Sequence, residues 1–308
     1  LENLDGQEYN ARLGEVMQTV RRNKAVVDSY EPGSTFKSVV ASIALDTGSC
    51  TLNDSFTCGG SFVVADRAIK CANTNGHGLQ NFTQAVQNSC NPAFIQIGQK
   101  TGKEKFLTGV EAFGFFKKTG IEITESSPHV SDSLAVPSYI GQGTNAYTTS
   151  QLARYATALA TSGTVYDLSL LDKVTDSQGK ILNEYAPSVK NQMSDVPDNV
   201  WEDIHDGMRR VVQTHEQFNG LGVTLSGKTG TAELDIYHPN HGLFIGYTTS
   251  PSTGEPEYAL AVRIANGYSS GNACLTANDI LQYIYDLADE DTILTGYASS
   301  DTSNTSND

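Results

Sequence analysis

Helix-spaced apolar stripes run through the first two-thirds of this 308-residue sequence, and strand-like runs gather only after residue 220. Leu13, Val16, Met17 and Val20 form one stripe, and Leu152, Tyr155, Ala156 and Leu159 another. Val200, Trp201, Ile204, Met208 and Val211 form a third, and Ile280, Leu281, Ile284 and Tyr285 a fourth. The period of three to four residues in each predicts a helix with one buried face. Strand-like runs follow at Val223–Leu225, Leu243–Tyr247 and Tyr258–Ile264, the last two separated by the turn-rich Pro251-Ser252-Thr253-Gly254. That order predicts an α+β fold with a mainly antiparallel sheet. With 38% hydrophobic residues the chain can bury a real core, and no repeat or linker divides it. Residues 1–297 read as one domain; beyond Ala298 no apolar residue remains, so 298–308 reads as a disordered tail.

The formal net charge of −15 excludes nucleic acid as a partner, because phosphate binding needs a basic surface. No run approaches the 18 or more apolar residues of a membrane span, and no signal peptide opens the chain. The start at Leu1-Glu2-Asn3-Leu4 without an initiator methionine reads as a cut inside a longer protein, whose anchor would lie outside this sequence.

Three short motifs carry the chemistry. In Ser34-Thr35-Phe36-Lys37, preceded by Pro32-Gly33, the Pro-Gly-Ser order signals a helix start. Val39, Val40, Ile43 and Ala44 continue it as a buried helix up to Gly48. Residues three apart share a helix face, so Lys37 lies beside Ser34. A serine hydroxyl needs a neighbouring base to become a nucleophile, and a buried lysine can serve. The first helical turn also offers unsatisfied N–H groups to a developing oxyanion. Alone, the pattern equally describes an N-capping serine with a surface lysine. The second motif, Ser89-Cys90-Asn91, lies between the helical run Phe82–Asn88 and Pro92, where a turn can aim Ser89 and Asn91 into a cleft. The third, Lys228-Thr229-Gly230-Thr231, continues the strand Gly222–Gly227. Strand alternation sets Lys228 and Gly230 opposite Thr229 and Thr231. An ammonium and two hydroxyls suit a substrate carboxylate, and Gly230 leaves room for a peptide close to the backbone. By themselves these are an ordinary polar loop and an ordinary strand end. Together, with Ser89 55 residues after Ser34 and Lys228 another 139 on, they match the motif set of class A β-lactamases and penicillin-binding proteins.

On these residues the chain resembles penicillin-binding proteins, and among them the monofunctional class B transpeptidases. Similar stretches include Arg22-Asn23-Lys24-Ala25-Val26, His77-Gly78, Phe113-Gly114-Phe115 and Ile140-Gly141-Gln142-Gly143. Thr149-Ser150-Gln151-Leu152-Ala153 and His241–Tyr247 extend the likeness, which covers Arg22 to Asp286. The resemblance implies an antiparallel sheet flanked by helices, with an all-helical subdomain. It implies Ser34 as the acylated nucleophile, Lys37 as its base and Ser89 as proton relay to the leaving D-Ala. Asn91 would orient the peptide, and Lys228, Thr229, Gly230 and Thr231 would bind the substrate end, with the Ser34 and Thr231 amides as oxyanion hole. The implied partners are stem peptides ending in D-Ala-D-Ala, β-lactams and a membrane glycosyltransferase, on the extracytoplasmic face of the cell membrane. No cofactor is implied for the chemistry. A serine β-lactamase, a D,D-carboxypeptidase and a β-lactam sensor share the same fold and motifs. The chain departs from the family at Lys117-Lys118, and it has fewer residues before Ser34 than the family's two N-terminal sheet strands require.

Five cysteines, at 50, 58, 71, 90 and 274, cannot all pair within one chain. Cys58, Cys71 and Cys90 lie close in sequence to His77, and an Asn-rich, Gly-containing loop links Cys71 to His77. Three thiolates and an imidazole make a tetrahedral structural zinc set that would brace Ser89 and Asn91. A disulfide between two of the three and buried free thiols are the competing readings.

Overall fold

The computed structural model describes residues 12, 22–64, 67–131, 136–232 and 237–294. The stripe Leu13–Val20 and the tail 298–308 lie outside them.

A 3-10 turn, Gly33–Phe36, runs directly into helix α1, Lys37–Asp46. Every residue from Lys37 to Ala44 is buried, so this helix runs through the core and meets solvent only in its last turn, at Asp46. Thr47 and the left-handed Gly48 end it, as the sequence predicts. Two antiparallel ribbons follow: β1 (Ser55–Cys58) with β4 (Gly78–Asn81), and β2 (Ser61–Val64) with β3 (Arg67–Lys70). Helix α2, Phe82–Gln87, starts at a reciprocal Asn81/Gln84 capping box, and α3, Asn91–Thr101, starts with Pro92 in its first turn. Helix α4 is Lys103–Ala112. The helical subdomain thus carries two short ribbons that the sequence reading did not foresee.

Helix α5, Thr149–Ala160, opens on a second capping box, Thr148/Gln151, and buries Leu152, Tyr155, Ala156 and Leu159 as its stripe predicts. Helix α6, Asp198–Gln213, likewise buries Val200, Trp201, Ile204, Met208 and Val211. The three strand-like runs fall in β5 (Thr224–Ala232), β6 (His241–Thr249) and β7 (Pro256–Ile264), an antiparallel sheet in the order β5-β6-β7. Among the described residues this sheet has three strands. Central β6 is covered on both faces. Leu243, Ile245 and Tyr247 join the core that holds Phe36 and Tyr155, and Phe244 faces the opposite layer with Leu225 and Val262.

Helix α7, Ser270–Ile284, closes that opposite layer. Here the expected face is corrected. Of Ile280, Leu281, Ile284 and Tyr285, only Leu281 is fully buried, and Ala273, Cys274 and Ala277 supply the rest of the contact. Small side chains let the helix approach the bulky Phe244, which a stripe of large residues could not do.

Candidate active site

Gly33 sets the geometry of the nucleophile turn. Its φ is +52°, and a Cβ there would lie 2.5 Å from the Thr231 carbonyl oxygen. Its N–H donates to Gly141 O at 3.0 Å, and Gly141 in turn has no room for a side chain against the Gly33 carbonyl. Ile140-Gly141 and Lys228–Thr231 therefore clamp the Ser34 turn from two sides.

Inside this clamp Ser34, Lys37 and Ser89 are buried, with Lys37 only 1% exposed. Lys37 Nζ lies 2.8 Å from Ser34 Oγ, 3.1 Å from Ser89 Oγ, 2.6 Å from Ser89 O and 2.7 Å from Asn91 Oδ1. The Phe94 ring stands 5.7 Å from the same nitrogen. Two of these oxygens are carbonyls, which accept and never donate. They fix two N–H groups of Lys37 and leave its remaining positions facing the two serine hydroxyls. A neutral amine held this way points its lone pair at a hydroxyl proton, which is the arrangement a general base needs.

Ser89 occupies the left-handed region at φ +48° without being glycine. That strained turn aims both its carbonyl and its hydroxyl at the Lys37 nitrogen, and strain of this kind concentrates at functional sites. Asn91 is held at both ends of its amide: Oδ1 accepts from Lys37, and Nδ2 donates to Lys70 O at 2.8 Å. One N–H of Nδ2 remains for a ligand. The Lys70 contact and the Tyr155 hydroxyl on Thr35 O, 3.3 Å, are long-range and had no sequence signal.

The third motif lines the same turn. Lys228 and Thr229 are fully buried in β5, and Thr231 is 4% exposed. Gly230 is corrected in its reason: a Cβ there would stand 2.9 Å from Thr35 N and 3.3 Å from Pro32 O. The space it leaves is filled by the protein's own nucleophile turn. The departure at Lys117-Lys118 is a surface one. Both residues are exposed, and their carbonyls accept from the buried Arg154 at 2.9 and 2.8 Å.

Cys58, Cys71, His77 and Cys90 converge, with all four ligand atoms within 4.8 Å of one another. The loop from Cys71 to His77 folds back to bring them together. Asn73 Oδ1 accepts from Asn75 N, Asn73 Nδ2 donates to Gly76 O, and left-handed Gly76 packs against the Cys58 carbonyl. Cys71 Sγ lies 4.0 Å from Cys90 Sγ and 3.5 Å from His77 Nδ1. A tetrahedral zinc ion needs ~3.8 Å between sulfurs and ~3.5 Å from sulfur to nitrogen, from its usual bond lengths. A disulfide needs ~2.05 Å, far less than the 4.0 Å between the Cys71 and Cys90 sulfurs, and all five cysteines are buried. The Cys71 thiol is pulled down to about 5, first by the Cys90 thiol beside it and further by His77. Cys90 moves the opposite way, first through its hydrogen bond with Cys71 and then because burial disfavours a thiolate.

Residues 5–285 match the family model of the penicillin binding protein transpeptidase domain. Stage V sporulation protein D of Bacillus subtilis is 32% identical over 263 residues, covering 80% of this chain and 40% of that protein. The chain spans about half or less of the length of the curated relatives it matches. The D,D-transpeptidase domain of a peptidoglycan glycosyltransferase from Eggerthella lenta superposes with a TM-score of 0.79 at 22% identity, covering 91% of this chain and 72% of that one. Penicillin-binding protein A of M. tuberculosis, as an imipenem acyl-enzyme complex, gives 0.77 at 21%, covering 92% and 67%. At such identities the two solved structures speak for the fold.

Proposed function

Because the chain belongs to the penicillin-binding protein transpeptidase family, we propose that it is a peptidoglycan D,D-transpeptidase acting through a Ser34 acyl-enzyme. The observation that carries this reading is Lys37, whose two carbonyl contacts direct the rest of its nitrogen at Ser34 and Ser89.

The steps follow from that geometry. Lys37 Nζ takes the Ser34 proton as Oγ attacks the carbonyl of the penultimate D-Ala. The Ser34 amide, at the start of the turn, and the Thr231 amide receive the oxyanion. Ser89, 3.1 Å from Lys37, passes a proton to the leaving nitrogen as the peptide bond breaks and D-Ala departs. The amine of a second stem peptide then attacks the ester, gives its proton back through the same pair, and frees Ser34. A β-lactam follows the first half, but its leaving nitrogen stays tethered and blocks the acceptor. Asn91 offers its remaining N–H to the peptide, and Lys228 with Thr229 and Thr231 meets the terminal carboxylate.

Incubation with a penicillin should add one adduct mass at Ser34, and Ser34→Ala should abolish it. Labelling elsewhere would overturn the assignment. The adduct lifetime separates this enzyme from a β-lactamase, which would release penicilloate within seconds to minutes. Lys228→Ala should slow acylation by carboxylate-bearing donors roughly ten- to a hundred-fold, the loss expected for one charge-assisted contact. A neutral activated ester should be much less affected; equal losses would mean a role in proton transfer or structure.

The reading includes residues 1–297 as one catalytic unit on the extracytoplasmic face of the membrane, working beside a membrane glycosyltransferase. Among the described residues no helix is long and apolar enough to cross a membrane. It also includes zinc at Cys58, Cys71, His77 and Cys90, supported by the convergence of the four ligand atoms within 4.8 Å and by the place of Cys90 between Ser89 and Asn91. Here the metal would be structural, since all four protein ligands are supplied and no open position remains for chemistry.

A further inference from the structure

His215 stands behind the carboxylate-facing strand, and neither the motifs nor the resemblance assigns it a role. Its Nε2 lies 3.5 Å from Thr229 Oγ1. That is the outer limit of a hydrogen bond, a length that often tightens when substrate binds. The ring does not reach this place by accident of a loose loop. His215 N donates to Val212 O at the end of α6, and His215 O accepts from Phe218 N, closing the short turn Glu216–Phe218. Phe218 is buried against Phe244, ring centroids 5.0 Å apart, and Phe244 is the β6 partner of Thr229. The turn is therefore docked on the same sheet face from which Thr229 projects, and the docking fixes the imidazole relative to the hydroxyl.

The hydroxyl inventory then decides what His215 does. Thr229 Oγ1 has one proton to give and lone pairs to receive with. A carboxylate only accepts. If the imidazole took the Thr229 proton, the threonine oxygen would meet the substrate carboxylate lone pair to lone pair. If Nε2–H donates to Oγ1, the Thr229 proton is free to point at the carboxylate. The chain Nε2–H to Oγ1–H to carboxylate is the only polarity in which Thr229 helps bind the anion.

We propose that His215 is a positioning residue for the substrate's free carboxylate: by donating from Nε2 to Thr229 Oγ1 it orders the Thr229 hydroxyl as a donor. This rests on the transpeptidase reading above and deepens it, since it names what selects donors ending in a free carboxylate. Glutamine places an amide N–H near the position of Nε2 and preserves the polarity, whereas leucine fills the volume without a donor.

The test compares acylation of Ser34 by benzylpenicillin, which bears the carboxylate, with acylation by a neutral N-acyl-D-alanyl ester. Both are measured for wild type, His215→Leu and His215→Gln. His215→Leu is expected to lose roughly ten-fold or more on penicillin, the effect of one charge-assisted hydrogen bond, and less than about two-fold on the ester. His215→Gln is expected to restore most of the penicillin rate. Equal losses on both substrates, or a glutamine variant as poor as leucine, would overturn the proposal, because a merely structural role predicts either. Failure of the wild-type protein to label at Ser34 would overturn the parent reading, and this one with it.

Discussion

Lys37→Ala is expected to slow Ser34 acylation by roughly 10²- to 10⁴-fold, the range that loss of a positioned general base produces. The structure gives two reasons to expect the upper end. The substitution removes the proton acceptor 2.8 Å from Ser34, and it also removes the hub that holds Ser89 and Asn91 in place. Residues acting as one unit lose activity together, so the single change should approach the loss seen when several are removed. Ser89 O and Asn91 Oδ1 would also lose their common donor, at about 1–3 kcal/mol of stability for each acceptor left buried. Lys37→Arg separates the two effects. A guanidinium keeps the charge and donates to both carbonyls, but it stays protonated at any pH the protein survives. Stopped-flow acylation by a fluorescent penicillin reads the rate, and a thermal melt reads the fold. If Lys37→Arg acylates within ten-fold of wild type, Lys37 is a structural post and the base lies elsewhere.

That hub shows where sequence reasoning reaches and where it stops. The pairing of Ser34 with Lys37 is local, three residues apart at a helix start, so spacing alone foresees it. Helices α5 and α6 were equally legible, because each buries a stripe of large residues at helical period. The ribbons β1 to β4 were not, since four-residue strands are too short to show alternation. The grip of Lys70 O on Asn91 spans 21 residues of chain and joins one backbone carbonyl outside the motifs to a motif side chain. No periodicity encodes such a contact. Gly230 was legible as a place of close approach, but the sequence could not say that the approaching group is Thr35 of the same chain. For α7 the stripe of large residues pointed to one face, whereas the sheet selected the small one, Ala273, Cys274 and Ala277. Burial there is decided by what Phe244 leaves room for, which is a property of the partner surface.

If the Cys58, Cys71, His77 and Cys90 cluster holds the proposed zinc, stripping the ion is expected to cost both stability and acylation. Cys71 directly follows Lys70, whose carbonyl holds Asn91, and Cys90 is the N-cap of α3 between Ser89 and Asn91. An ion bonded to both sulfurs would tie the β2–β3 ribbon to the start of α3, and the catalytic amide lies across that junction. Without it, the ribbon keeps its strand pairing, the Lys70 O contact with Asn91 and the packing of Phe62 and Ile69 on the core, a light hold for a two-stranded ribbon, which is marginal on its own. Protein purified without chelator should carry about one equivalent of zinc. Cys71→Ser should lose it, lower the melting temperature by several degrees and slow penicillin acylation roughly ten- to a hundred-fold, as loss of an outer support typically does. Ser34 itself should remain competent, so the small residual rate should keep its dependence on Lys37. Slow chelation of the wild type followed by readdition of zinc should reverse both losses, which a misfolded variant could not do. If metal-free protein, with all five thiols titratable on unfolding, melts and acylates like the zinc-loaded form, the four side chains are packed as buried thiols beside a histidine, and Asn91 owes its position to Lys70 and Lys37 alone.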